Sequence, residues 1–207
     1  MKVDIEGAAV LVLRDEKLLF VINKKEYWKK RDSRWVISFT NVGGRKEKGE
    51  NILQTARREC KEEIGILPHI LSSKRSFLID LNYKVKEIKP SMRPRPFSIY
   101  LLKHKGKPRM PYAKKYFIAR VYVFLAKINK NPKPSSEIPA IIWLDWDMVM
   151  QSSKGGLKLR ELLRKGVKFK EKDRIPRNAI LVPSWTPKIF IKAFGKNFPT
   201  FLECAFS

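Results

Sequence analysis

Glu59, Glu62 and Glu63 fall within five residues in "RRECKEEIGI", in a chain of 207 residues with formal net charge +25. On a helix, where successive residues advance by about 100°, the three side chains share an arc of about 100°. Like charges at such spacings destabilise a bare helix by about 0.2–0.5 kcal/mol per pair. Oxygen ligands around a divalent cation would reverse that sign, and Mg²⁺ or Mn²⁺ suits carboxylates combined with substrate phosphates. Arg58 can pair with Glu62 one turn on, or orient Glu50 or Glu59. A solvated acidic face offset by Arg57, Arg58 and Lys61 accounts equally well for this helix taken alone.

The elements that must position these residues can be read from the pattern. From Asn51 to Ile64 apolar residues recur at three- and four-residue steps (Leu53, Ala56, Cys60, Ile64), which predicts a helix with a narrow apolar stripe. The glutamates lie away from that stripe, and Gly65 stops the helix. Upstream, "GAAVLVLRDEKLLFVINKK" predicts two strands joined by a turn over Arg14-Asp15-Glu16-Lys17. A basic, aromatic-bearing loop, "KKEYWKKRDSR", follows, and "RWVISFTNVGG" is a third extended segment ending on Gly43-Gly44. Downstream, strands are predicted from Ser76 to Asp80, Ser98 to Lys103 and Tyr116 to Lys127. The Pro- and Lys-rich stretch over residues 84–115 reads as a long insertion or extended hairpin. "NKNPKPSSEIP" is a loop, and "AIIWLDWDMV" a short strand running into a helix that continues through "LKLRELLRKG". From Val167 the proline-punctuated tail reads as irregular, with enough apolar residues to pack rather than dangle.

The wider spacing is more specific than the helix. Gly44, five residues, Glu50, seven residues and then "RECKEEIGI" from Arg58 to Ile66 resembles the Nudix box, G-x5-E-x7-R-E-U-x-E-E-x-G-U with U apolar. All seven fixed letters match. At about one in twenty per letter, a chance match is on the order of 10⁻⁹ per starting position. The resemblance covers roughly residues 3–163, and "IIWLDWDMV" looks like the strand-to-helix segment late in Nudix domains. It implies an α/β fold, a mixed β-sheet sandwiched between helices as an α/β/α sandwich. The expected organisation is a domain over 1–165 bearing a basic insertion at 84–115, with a C-terminal extension over 166–207 packed on it.

The implied activity is metal-dependent hydrolysis of a nucleoside diphosphate linked to another group, such as a nucleotide sugar or a dinucleoside polyphosphate. Divalent ions, Mg²⁺ or Mn²⁺, neutralise the bridging oxygens of a pyrophosphate and acidify the attacking water. Carried over by position, Glu59, Glu62 and Glu63 would be metal ligands, with the carbonyl of Gly43 completing the coordination. Glu59 would otherwise position the water or act as its base. Glu50 and Arg58 would hold the loop-helix geometry, and Gly44 would let the backbone approach a phosphate. Family members place the general base on the box or on a distant loop. Glu137, in the loop before "AIIWLDW", is the loop candidate, against its reading as an ordinary solvated residue.

The substrate is less legible. The family's proline signature for ADP-ribose hydrolysis is absent, since that region reads "DLNYKVKE". Tyr83 lies near where dinucleoside polyphosphate hydrolases carry a tyrosine, although a strand-surface tyrosine is equally ordinary. The coenzyme A signature and the cysteine motifs of isopentenyl diphosphate isomerase are missing, which favours hydrolysis over isomerisation. Tyr27, Trp28 and Trp35 are the aromatic rings nearest Gly43-Gly44 in the chain. Tyr27 and Trp28 are the candidates for stacking a base, and Trp35 is expected in the core.

Composition bounds the partners. With 45 Lys+Arg against 20 Asp+Glu, the charge would attract RNA, DNA or polyanionic small substrates, or reflect a lysine-rich proteome. Basic residues are densest over 24–34, 84–115 and 154–177, without the regular spacing of a known nucleic-acid module. Residues 84–115, with eleven Lys/Arg against the single Glu87 and His104 as the one residue suited to act as a base, would serve substrate affinity more than chemistry. An RNA 5′-end pyrophosphohydrolase and a non-catalytic nucleic-acid-binding Nudix module are the rival readings; the intact box argues against the latter. No run of about eighteen apolar residues occurs, so no membrane span is expected. Cys60 and Cys204 make neither a disulfide framework nor a metal-ligand pattern, and the start reads as a strand rather than a leader, so a cytoplasmic protein is expected. A homodimer is one assembly open to it, and the sequence does not choose.

Overall fold

The computed structural model describes residues 2–105, 116–135 and 137–206. Ten segments make its first half: β1 (Ile5–Arg14), β2 (Lys17–Ile22), β3 (Lys29–Arg31), β4 (Arg34–Thr40), β5 (Val42–Arg45), α1 (Ile52–Ile64), β6 (His69–Leu71), β7 (Ser76–Ile79), β8 (Val85–Ile88) and β9 (Ser98–Lys105). The remainder comprises β10 (Tyr116–Lys127), β11 (Ala140–Leu144), α2 (Trp146–Ser152), β12 (Leu157–Lys158), α3 (Leu159–Arg164), β13 (Phe169–Glu171), β14 (Ile180–Pro183), α4 (Trp185–Phe194) and α5 (Phe198–Cys204). The β1–β2 turn falls where the sequence places it, with Asp15 and Glu16 both at positive φ (50° and 59°), the geometry of a tight hairpin.

β1 is the hinge of a mixed sheet. Its residues 5–12 run parallel to β10, its residues 7–10 pair antiparallel with β5, and its last two pair with β2. Side chains alternate along it: Ala8, Val10 and Val12 enter a core shared with Ala56, Cys60 and Ile64 of α1, whereas Ala9 and Leu11 enter a second core with α2 to α5. Helices therefore cover both faces, an α/β/α sandwich.

The extended segment "RWVISFTNVGG" is two strands rather than one. The chain leaves β4 at Asn41 and enters β5, which pairs with β1, so this single crossing carries Gly43 to the N-terminal half of β1. The α1 stripe holds at Ala56, Cys60 and Ile64, but its first buried member is Ile52 rather than the half-buried Leu53. Asn51 and Gln54 form a capping box that starts the helix there.

Residues 84–105 are not an excursion from the domain. β8 pairs with β7, and β9 pairs with β10 and runs parallel to β7, burying Phe97 and Tyr100. Of the lysines in this stretch, Lys86 in β8 and Lys103 in β9 are exposed. The remaining positions of that basic stretch, 106–115, lie outside the described residues, as do the side chains of His104 and Lys105.

Two expectations for the second half are corrected. The helix begun at Trp146 ends at Ser152, and α3 is separate. Gly155 and Gly156 break the run at φ 156° and 81°, and a Cβ on Gly156 would sit 2.2 Å from Ile180 Cγ2. The tail is regular rather than irregular. β14 runs parallel to β4, pairing Ile180 with Val36 through Pro183 with Phe39. Pro183 ends its strand, while Pro187 and Pro199 lie in the first turns of α4 and α5, where an N–H has no helical partner to lose. Phe190, Phe194 and Phe198 pack with Phe97 at ring separations of 5.9 Å, each burial stabilising by about 1.5–3 kcal/mol. No helix among the described residues is long and apolar enough to cross a membrane.

Candidate active site

Arg58 is the hub of the carboxylate cluster. Its Nε donates to Glu50 Oε1 at 2.7 Å, and its Nη1 donates to Glu59 Oε1 at 2.9 Å and to Glu62 Oε2 at 2.7 Å. Its Nη2 donates to the Arg45 carbonyl at 3.0 Å, tying α1 to the end of β5. Glu50 also accepts from the Glu47 N–H and the Thr55 hydroxyl, both at 3.0 Å. The Arg58 guanidinium, with the Glu47 N–H second, holds the Glu50 carboxyl down at about 2. Glu50 in turn is the largest cause of the upward shift of Arg58.

The glutamates are not all on a solvent face. Glu59 is 8% exposed, because β5 presents glycine where its side chain lies: a Cβ on Gly44 would sit 2.3 Å from Glu59 Oε1. Gly44 thus makes room first for a carboxylate. Burial pushes the Glu59 carboxyl up, with Arg58 opposing. Glu63 reaches the other glycine, its Oε2 accepting from the Gly43 N–H at 3.0 Å. Burial is again the main cause that pushes Glu63 up, to about 8, opposed by the Gly43 N–H and assisted by the charges of Glu59 and Glu137. Gly43 itself lies against β1, where a Cβ would meet the Ala8 carbonyl oxygen at 2.2 Å.

Glu137 is carried to this cluster by its loop. Backbone N–H groups of Lys133 and Ser135 donate to the carbonyls of Ile64 and Glu63 at 3.2 and 3.1 Å, and the Ser135 hydroxyl donates to the Glu62 carbonyl. The loop thereby caps the C-terminal turn of α1. Glu137 pairs with Lys24 Nζ at 3.5 Å, and the Lys24 charge lowers the Glu63 carboxyl while that of Glu137 raises it. Lys24, Ser135 and the Arg45 carbonyl escaped the sequence reading. No local pattern marks them, since a loop's docking partner is set by the fold.

The other sequence candidates are dispersed. Tyr27 is half exposed on the turn that follows Lys24. Trp28 is committed to structure: its Nε1 donates to the Asn23 carbonyl at 2.7 Å, and its ring meets Trp35 edge-to-face at 6.1 Å. Tyr83 is not brought to the cluster. It lies in the β7–β8 turn at the far edge of the sheet, and its hydroxyl accepts from Lys192 Nζ of α4 at 3.1 Å.

The donor set is one of hard oxygens: the carboxylates of Glu59, Glu62 and Glu63 and the carbonyl of Gly43, the chemistry that holds Mg²⁺ or Mn²⁺. Burial and neighbouring like charge push both Glu59 and Glu63 up, a shift that a bound divalent cation would oppose. Among the described residues, no three ligating side chains converge on one point; Arg58 holds Glu59 and Glu62 while Glu63 is drawn to Gly43.

A scan of family models matches the NUDIX domain over residues 5–165. Similar solved structures include the E. coli dihydroneopterin triphosphate pyrophosphohydrolase, 17% identical, covering 72% of this chain and 88% of its own, with TM-score 0.44. A Streptococcus suis ADP-ribose pyrophosphatase is 14% identical over 69% of this chain and 75% of its own, with TM-score 0.41. A C. elegans Ap4A hydrolase is 15% identical over 71% and 84%, also with TM-score 0.41. At these identities and scores the likenesses say nothing about substrate. Comparison with curated proteins gives no significant match. The family model spans most of the chain and includes the whole of the carboxylate cluster, so the protein belongs to the Nudix family of hydrolases, which act on phosphoric anhydride bonds.

Proposed function

We propose that the protein is a pyrophosphohydrolase that uses Mg²⁺ or Mn²⁺ to cleave a nucleoside diphosphate linked to another group. The observation that carries this reading is the gathering of Glu50, Glu59 and Glu62 on Arg58, with Glu63 beside them on the Gly43 N–H. Bound divalent metal would supply charge neutralisation at the bridging oxygens and an acidified water. Glu59, Glu62 and Glu63 would hold the ion, with the Gly43 carbonyl as a further donor. Arg58 and Glu50 lock the helix against the loop, so the backbone that carries the ligands is fixed before binding. Glu137, held by Lys24 at 3.5 Å beside the cluster, would receive the proton of the attacking water. Lys24, paired with Glu137 beside the cluster, stands where the nucleotide portion would enter.

Turnover of a panel of nucleoside diphosphate derivatives with Mg²⁺ and with Mn²⁺, scoring nucleotide and phosphate products, tests the reading. Metal-dependent release of a nucleoside monophosphate is expected. No turnover across the panel, or turnover indifferent to chelation, overturns it.

A further inference from the structure

We propose that Trp185, outside the residues matched by the family model, is the platform on which the substrate's nucleobase stacks. This rests on the nucleotide-hydrolase reading above and names the part of the substrate that reading leaves open.

Trp185 is 42% exposed and adopts φ +47°, a conformation that a bulky residue rarely takes. A single exposed apolar side chain is common and by itself says nothing. Here, though, both neighbours are anchored. The Ser184 N–H and hydroxyl both donate to the Phe39 carbonyl at 3.0 Å, so the serine does not cap α4. On the other side Thr186 is buried, its hydroxyl 3.1 Å from the Tyr100 hydroxyl. The backbone is held at both ends in a strained turn whose product is an indole at the surface. Strain of this kind persists where surrounding structure over-determines it, and it concentrates at ligand sites.

The position is next to the carboxylates. β14 runs parallel to β4 with Pro183 opposite Phe39, and the Ser184 N–H still bonds the Phe39 carbonyl, so Trp185 opens α4 beside the β4–β5 crossing at Asn41. Neighbouring strands are about 4.8 Å apart and two residues span at most about 7 Å, so the Trp185 backbone lies within about 12 Å of Gly43. A nucleoside diphosphate bridges such a span from ring to phosphates. The same hydrogen-bonded network runs from Ser184 to Asn23 at 3.4 Å, and the next residue, Lys24, reaches Glu137. A second observation coincides: Asn41 is 2% exposed and its Nδ2 has no hydrogen-bond partner. A buried donor left without an acceptor is costly, and the ring edge of a base carries acceptors.

The test is calorimetric titration, at saturating Mg²⁺, of wild type, Trp185→Leu and Trp185→Phe with AMP, GMP and ribose 5-phosphate. Wild type should bind the nucleotides more tightly than the base-free sugar phosphate. Trp185→Leu should weaken nucleotide binding by about 5- to 100-fold, the usual worth of one stacked base, and leave ribose 5-phosphate unchanged. Trp185→Phe should retain most of the affinity, which separates a stacking role from a merely structural one. Equal binding of all three probes by wild type, equal weakening of all three by Trp185→Leu, or no weakening at all, overturns the assignment. Base selectivity without turnover of any panel substrate would strike the hydrolase reading alone; turnover without base selectivity would strike Trp185 alone.

Discussion

Glu63 Oε2 accepts a hydrogen bond from the Gly43 backbone N–H at 3.0 Å, joining the last turn of the glutamate-bearing helix to the strand twenty residues before it. That single contact keeps a carboxyl in place that burial holds up at about 8. It also makes the stability of the metal-free protein depend on pH.

In the folded chain the Glu63 carboxyl keeps its proton up to about pH 8, whereas unfolded it ionises near about 4.3. Between those values the folded state binds the extra proton, so its contribution to stability is full below about pH 4 and is lost as pH rises towards 8. Glu50, held down at about 2, acts in the opposite sense, losing its contribution only as pH falls below the ordinary carboxylate range. Metal-free melting temperature should therefore fall between pH 5 and 8, and Glu63→Gln should flatten that slope. An equally steep slope in the variant would sink the assignment.

Glu62→Gln and Glu63→Gln should each abolish most turnover. Melts without metal should show both folds intact, with Glu63→Gln stabilised near neutral pH because ionisation of the unfolded glutamate no longer favours unfolding. Mg²⁺ should raise the melting temperature of wild type and much less that of the variants. Near-wild-type turnover in either variant would remove it from the ligand set.

The two glycines should separate activity from stability. A Cβ on Gly44 meets only the carboxylate end of Glu59, at 2.3 Å, so Gly44→Ala should fold and yet displace that group from Arg58. A fall in kcat of about tenfold or more is expected, with a small change in melting temperature. Gly43→Ala puts its Cβ 2.2 Å from the Ala8 carbonyl oxygen and 2.7 Å from Ala9 Cα, at a φ of 149°. Backbone cannot yield there cheaply, so a loss of about 3 kcal/mol is expected in denaturant titrations.

Glu137→Gln should lower kcat by about 10²–10⁴, the range for general acid–base catalysis, with metal affinity nearly unchanged. If Glu59 is the base instead, Glu137→Gln should be almost silent and Glu59→Gln should fail even at saturating Mg²⁺. Both variants, titrated with metal and followed across pH, distinguish a missing base from a missing ligand.

Sequence alone determined what depends on local periodicity. The helix from Ile52 to Ile64, its stop at Gly65 and the spacing from Gly44 through Glu50 to Arg58 all follow from steps of three, four and seven residues along one chain segment. So did β10, whose bounds match the apolar run, and the turn at Asp15-Glu16. Tertiary structure decided what depends on which surfaces meet. Glu59 sits under β5 because the chain crosses at Asn41 to pair with β1, a choice no window of α1 contains. Glu137 and Lys24 are 113 residues apart and become partners only because the loop before β11 caps α1. The tail carries prolines that read as breaks, but a proline's missing N–H matters only where a partner needs it. At the end of β14 and in the first turns of α4 and α5 none does, so the segment completes the sheet and leads into α4 at Trp185.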